Sequence, residues 1–213
     1  MTINKENLAQ IVDKLSCFNE AKLLIVTKNQ SQKDIFDLLN MGYFSFGENR
    51  VQEAVLKYTD VLRNNFKNLK LHLIGPLQSN KTKIALETFD TIQSIDRKKI
   101  VDTISDILNN GSIVRVKDFF IQVNIGKEKQ KSGIDPEDVI DFYQYCKRKN
   151  LNIKGLMCIP PNDLKPEKYF SELKVLREKI DSNLLLSMGM SQDYDIALKF
   201  DSNIIRVGSK IFS

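Results

Sequence analysis

Leu23–Leu39 reads LLIVTKNQSQKDIFDLL, and its two halves follow different periods. Leu23–Thr27 is a short apolar run without polar alternation, which is how a parallel strand covered on both faces reads. Ser31-Gln32-Lys33-Asp34 has the form of a capping box, and Ile35, Leu38 and Leu39 then recur at helical spacing. Between strand and helix stands Lys28, directly after the apolar run.

The same unit recurs along the chain. Apolar runs stand at Tyr43–Phe46 (YFSF), Leu71–Ile74 (LHLI), Thr91–Ile95 (TIQSI), Phe119–Ile125 (FFIQVNI), Ile153–Ile159 (IKGLMCI), Leu184–Ser187 (LLLS) and Ile204–Val207 (IIRV). YFSF and TIQSI are the weakest of them. Helical starts fall between the runs. Asp96 is placed to cap a helix carrying Ile100, Val101, Ile104, Ile107 and Leu108, which Asn109-Asn110-Gly111 stops. Asp135-Pro136-Glu137 sets a cap before a first-turn proline and acid. Ser79 and Ser191 are placed to cap two others, and Pro166 precedes a segment carrying Phe170, Leu173, Leu176 and Ile180. Eight strands alternating with helices predict an α/β fold, a (β/α)8 TIM barrel, with an open doubly wound sheet as the rival. An extra helix, from about Asn4 to Phe18, precedes the first strand. Only Gly208–Ser213 follow the last strand, so the final barrel helix is expected to be vestigial and the N-terminal helix to cover its place. No linker divides the chain, and residues 1–213 are expected to form a single domain.

Composition narrows the function classes. The chain sets 32 Lys and Arg against 27 Asp and Glu, and this surplus of +5 is dispersed among acids. Even the densest basic patch, Lys127–Lys131, contains Glu128. Nucleic-acid surfaces concentrate their charge, so no nucleic-acid partner is expected. No run approaches the roughly 18 apolar residues of a membrane span, and no membrane partner is expected. The segment MTINKENLAQIVDKL has mixed charge and no continuous apolar core, unlike a secretory signal. His72 is the only histidine, which excludes multi-histidine metal sites and disfavours a Ser-His-Asp triad. Cys17, Cys146 and Cys158 are far apart and odd in number, so free thiols in a reducing cytoplasm are expected.

In a barrel of this kind, function gathers at the C-terminal ends of the strands. Lys28 follows the first run there; an apolar strand mouth would desolvate its amine and favour Schiff-base chemistry, against the plainer alternative of a lysine snorkelling outward. Gly189-Met190-Ser191 and Gly208-Ser209 follow the last two runs, where glycines admit a close approach and the N–H groups and hydroxyls suit a phosphate; the alternative is two ordinary turns. Arg206 lies inside the last run and, if inward, requires a ligand atom or carboxylate as partner. His72 reads first as a satisfied core imidazole. Glu48 and Asn49 are placed to bind a ligand or to tie loops, and Met157, Met188 and Met190 to pack. Cys158 lacks an identifiable base to activate it.

Eight ordered segments carry a resemblance: VTKNQS (Val26–Ser31), FGENRVQE (Phe46–Glu53), LHLIGPLQSNK (Leu71–Lys81), IQSIDR (Ile92–Arg97), IQVNIGKEKQKSG (Ile121–Gly133), GLMCIP (Gly155–Pro160), LSMGMS (Leu186–Ser191) and IRVGSKIF (Ile205–Phe212). From about Lys22 onward the chain resembles the YggS/PROSC family of pyridoxal 5′-phosphate-binding proteins. The resemblance implies a barrel similar to the N-terminal domain of alanine racemase, with pyridoxal 5′-phosphate (PLP) as cofactor. It implies a PLP Schiff base on Lys28, with Ser191, Gly208 and Ser209 around the phosphate. Arg206 would look toward the pyridine nitrogen and Asn49 toward the ring's 3-oxygen side. It further implies no catalytic residues and a role in PLP, or vitamin B6, homeostasis, with PLP-dependent apoenzymes as transient recipients and a monomeric state. The alternative is a PLP-dependent amino-acid racemase-like enzyme, which needs an acid/base on each ligand face and, by the same resemblance, a second domain that 213 residues leave out. The chain departs from the family pattern in Asn29-Gln30-Ser31, in Arg50 where Tyr is frequent, in Ser209 where Thr is common, in Ser213 where Gly is usual, and in a short loop at Asn162–Lys165.

Overall fold

Each apolar run becomes a parallel strand: β1 (Lys22–Val26), β2 (Ser45–Glu48), β3 (Lys70–Leu73), β4 (Thr91–Ile95), β5 (Asp118–Val123), β6 (Ile153–Cys158), β7 (Leu185–Ser187) and β8 (Ile204–Val207). The computed structural model describes residues 3–163 and 165–212. Among these, every strand pairs with the next, and β8 returns to β1 with Leu23 opposite Ile205 and Ile25 opposite Val207. The sheet is therefore a closed barrel, and the open doubly wound alternative falls. Ser213 lies outside the described residues.

Both weak runs are strands. TIQSI is β4 in full, buried at every position. YFSF is displaced: β2 begins at Ser45 and continues through Gly47 and Glu48, which the sequence reading put in the following loop. Pairing opposite His72 and Leu73 carries the strand on. Gly47 suits this place because a Cβ there would stand 3.1 Å from Leu24 and 3.2 Å from Ile74.

The helices are α1 (Lys5–Leu15), α2 (Gln32–Asn40), α3 (Val51–Lys57), α4 (Asp60–Asn65), α5 (Thr82–Thr88), α6 (Lys98–Asn109), α7 (Val139–Arg148), α8 (Pro166–Ile180) and α9 (Tyr194–Leu198). The Ser31–Asp34 capping box forms in full at α2, whose Ile35, Leu38 and Leu39 are buried. Three other expected caps do not form. Arg97, not Asp96, precedes α6, and the Asp96 carboxylate accepts from the Arg97 guanidinium instead. Ser79 opens a 3-10 turn that leads into α5. Asp193 stands at the N-cap of α9 where Ser191 was expected. Pro136 starts a 3-10 turn ahead of α7, and Pro166 is the first residue of α8. After β8 the described chain makes only a turn. Ile3 bridges to Phe212 and the Asn4 N–H donates to the Ile211 carbonyl, so α1 covers this side of the barrel.

Two apolar layers result. The larger lies between strands and helices. The smaller fills the barrel with Leu24, Val26, Ile74, Phe120, Met157 and Ile204. Gly155 is required beside it, because a Cβ there would fall 2.4 Å from the Phe120 ring and 2.2 Å from the Leu185 carbonyl. Among the described residues no helix is long and apolar enough to cross a membrane, and no cluster of His, Cys, Asp and Glu is arranged to hold a metal ion.

Candidate functional site at the barrel mouth

A cavity of about 390 Å3 opens where the strands end. Lys28, Asn49, Ser191, Arg206, Gly208 and Ser209 all line it, against apolar walls from Val26, Ile74, Ile159 and Met190. Its size suits a small organic ligand. A wider cleft of about 800 Å3 between α6 and α7 presents side chains of both signs, including Asp96, Asp138 and Arg148, with no convergent donor set.

Lys28 sits two residues beyond the end of β1 and is exposed. The enclosure expected around it is not found: Lys28 is exposed although Val26, Ile74, Ile159 and Met190 line the same cavity. The backbone around it is fixed from behind. Lys57 on α3 donates to the Thr27 carbonyl at 2.8 Å, to Glu48 Oε1 at 3.2 Å and to Glu53 Oε1 at 2.5 Å. Glu53 Oε1 also accepts the Asn29 N–H at 2.7 Å, which holds Asn29 in a left-handed conformation with φ 62°. Glu48 is fully buried and faces this cluster, accepting from Thr27 Oγ1 at 2.8 Å. Of its two expected roles, the structure assigns it the tying of elements. Burial pushes its carboxyl above the usual range, against the opposing pull of Thr27 and Lys57. For Glu53 burial is outweighed by Lys57 and the Asn29 N–H, and its carboxyl lies below the usual range.

Asn49 follows β2 and reaches the cavity because Gly75 leaves room: a Cβ on Gly75 would stand 2.1 Å from the Asn49 carbonyl oxygen. Asn49 Oδ1 is buried without a hydrogen-bond partner among the described residues. Such an acceptor awaits a donor.

Arg206 points into the barrel and is buried. The partners it requires are a backbone carbonyl and a hydroxyl rather than a carboxylate. Nη2 donates to the Cys158 carbonyl at 2.7 Å and Nη1 to Ser187 Oγ at 2.9 Å. Beyond it, Ser187 donates to Gln93 Oε1 at 2.6 Å, and Gln93 Nε2 lies 3.0 Å from His72 Nδ1. Burial lowers the Arg206 pKa from its ordinary value and pushes His72 down to about 4. His72 is thus a satisfied, neutral core imidazole.

The two glycine loops divide their work. Gly189, at φ 92°, serves packing: a Cβ there would stand 2.6 Å from Ala197 on α9, and Gly189 is not among the residues lining the cavity. Gly208 allows β8 to end against β1, with a virtual Cβ 2.9 Å from the Val26 carbonyl oxygen. Ser191 is half-buried and Ser209 exposed, both at the cavity. Asp193 also lines it, held by the Met190 N–H at 2.6 Å, and burial raises its carboxyl above the usual range. The sequence reading missed Asp193, Gln93, Ser187 and Lys57. Met157 and Met188 are fully buried packing residues, as expected, whereas Met190 joins the cavity wall. Burial pushes the thiols of Cys146 and Cys158 up to about 12, which makes them poor nucleophiles.

The polar groups at the cavity suit a small polar ligand with an anionic end. They offer an accessible amine, two hydroxyls, a buried unpartnered acceptor and a guanidinium with two of its five N–H donors committed within the chain.

No family model matches the chain. A protein of Pasteurella multocida called pyridoxal phosphate homeostasis protein is 36% identical over 100% of this chain and 97% of its own length. The structure of PipY from Synechococcus elongatus with PLP bound superposes with a TM-score of 0.83 at 30% identity, covering 98% of this chain and 99% of that one. Alanine racemase of Clostridium difficile matches with a TM-score of 0.75 at 15% identity over 99% of this chain and 57% of its own, a likeness of fold alone.

Proposed function

The chain belongs to the pyridoxal phosphate homeostasis protein family, and from that premise we propose that it holds PLP in the barrel-mouth cavity. The observation that carries the proposal is the convergence of Lys28, Asn49, Ser191, Arg206, Gly208 and Ser209 on one cavity of ligand size. When bound, the cofactor supplies an aldehyde that condenses with an amine and a ring that withdraws electrons. Lys28 offers the amine, and its exposed position lets the aldehyde approach. Ser191, Gly208 and Ser209 take the phosphate, where charge-assisted hydrogen bonds to hydroxyls and backbone N–H groups are strong. Arg206 faces the ring nitrogen and Asn49 the ring's oxygen side.

The proposed role is to hold and release the cofactor, as one domain over residues 1–213, without catalysis. An arginine against the ring nitrogen keeps its own proton, so the ring stays a weak electron sink. The protein would act as a monomer in the cytoplasm and pass its cargo to PLP-dependent apoenzymes. Titration with PLP, followed by near-ultraviolet and visible absorbance, tests the site. Wild type is expected to develop a saturable band. Lys28→Ala should lose it yet keep weaker binding through Ser191, Gly208 and Ser209. An unchanged band in Lys28→Ala overturns the assignment. Chiral analysis after incubation of the loaded protein with L-alanine is expected to show no more D-isomer than free PLP produces; a higher yield would favour the racemase alternative.

A further inference from the structure

His72, Gln93, Ser187 and Arg206 sit on β3, β4, β7 and β8, and their side chains join in one hydrogen-bonded chain inside the barrel. Apart from Arg206, none of them lines the cavity. We propose that His72 is a positioning residue for Arg206, acting through Gln93 and Ser187 as a chain of fixed direction. The proposal rests on the reading that Arg206 faces the ring of bound PLP.

The direction follows from what each group is able to give. A guanidinium has only donors. Ser187 Oγ therefore accepts from Arg206, and its own proton goes to Gln93 Oε1. That commits the amide oxygen, so the amide NH2 faces His72 and Nδ1 must accept from it. The imidazole proton then sits on Nε2. The far end decides the sense of the chain. Without an acceptor at position 72 the Gln93 amide is free to turn over. It would then offer N–H to Ser187, whose proton would be left pointing toward a guanidinium that cannot accept it. The apolar residues that fill the barrel, among them Leu24, Phe120, Met157 and Ile204, offer no strong side-chain acceptor to replace a lost partner. A charge-assisted hydrogen bond in such surroundings is both strong and directional. His72 thus fixes where the guanidinium stands at the floor of the cavity.

Two measurements test this on the full chain. Long-range proton–nitrogen NMR of the 15N-labelled protein should find His72 protonated at Nε2 and bare at Nδ1. A proton on Nδ1 overturns the proposal. The second measurement compares PLP affinity with the affinity for inorganic phosphate, read by competition. His72→Phe and Ser187→Ala should each lose roughly ten-fold in PLP affinity while phosphate affinity stays the same. His72→Asn, whose Oδ1 stands close to the place of Nδ1, should bind PLP like wild type. The proposal fails if His72→Phe binds PLP like wild type. It also fails if both affinities fall together, or if His72→Asn is no better than His72→Phe. Gln93→Leu breaks the same chain and replaces His72→Phe should that variant not fold. If wild type binds no PLP, the reading of the cavity fails, whereas the His72 tautomer still decides whether the chain has the proposed direction.

Discussion

Two buried polar assemblies hold the two sides of the cavity, and they are built on opposite plans. In the chain inside the barrel, Arg206 is the charged member, and Ser187, Gln93 and His72 carry its hydrogen bond onward in neutral steps. Between β1, β2 and α3, Glu48, Glu53 and Lys57 crowd three charges around Thr27 and Tyr58. The interior chain matches donor to acceptor at each link. The flanking cluster relies on proximity of opposite charge and leaves Glu48 Oε2 without a partner among the described residues. The barrel interior thus keeps a guanidinium in place by direction, whereas the sheet–helix boundary keeps the Lys28 loop in place by charge balance. The first should be sensitive to geometry, the second to the removal of any one charge.

Removing the base from the flanking cluster should have the largest effect. Lys57→Met leaves the fully buried Glu48 uncompensated and frees Glu53 from its partner. A loss of about 3–5 kcal/mol of stability is expected, read by urea unfolding. A loss below about 1 kcal/mol would place the cluster with ordinary surface ion pairs.

The interior chain should show itself next, through pH. Burial holds His72 near 4 against an ordinary value of 6.5, with a smaller opposing pull from Asp90 and a push from Lys70. Between those values the unfolded chain takes up a proton that the folded one refuses. The stabilisation is therefore complete above 6.5 and is lost as the pH falls toward 4. The shift corresponds to about 2–3 kcal/mol once the partial exposure of His72 is discounted. The stability difference between wild type and His72→Asn, measured across that range, should carry this slope. A difference independent of pH would contradict it.

The smallest effect separates the two plans most finely. Tyr58 hydrogen-bonds Thr27 Oγ1 at 2.7 Å, but Thr27 keeps its bond to Glu48 when the phenol is removed. Tyr58→Phe should cost about 1 kcal/mol in urea unfolding. A cost several times larger would mean that the cluster, too, depends on an ordered chain of hydrogen bonds.

The architecture was legible because buried parallel strands write continuous apolar runs, and all eight runs became strands. The displaced β2 was not, because Gly47 and Glu48 carry no strand preference of their own. Only the neighbouring strands explain them. Cap positions failed where a side chain found a better partner than the helix end, as Asp96 did in Arg97. The six residues proposed for the site were legible because five of them follow a strand and Arg206 interrupts an apolar one, and the barrel brings such positions to one face. Gln93 and Ser187 were not, since an amide and a hydroxyl inside apolar runs give no sign of facing each other across the barrel. An inward arginine without an acid to pair it was the available signal that such partners existed.

The most direct test of the account is chemical. Load the protein with PLP, reduce it with borohydride, digest it and locate the modified lysine by mass spectrometry. A single adduct on the peptide containing Lys28 is the expected result. An adduct on Lys57 or on a lysine outside the cavity, or no adduct at all, would contradict the proposed site.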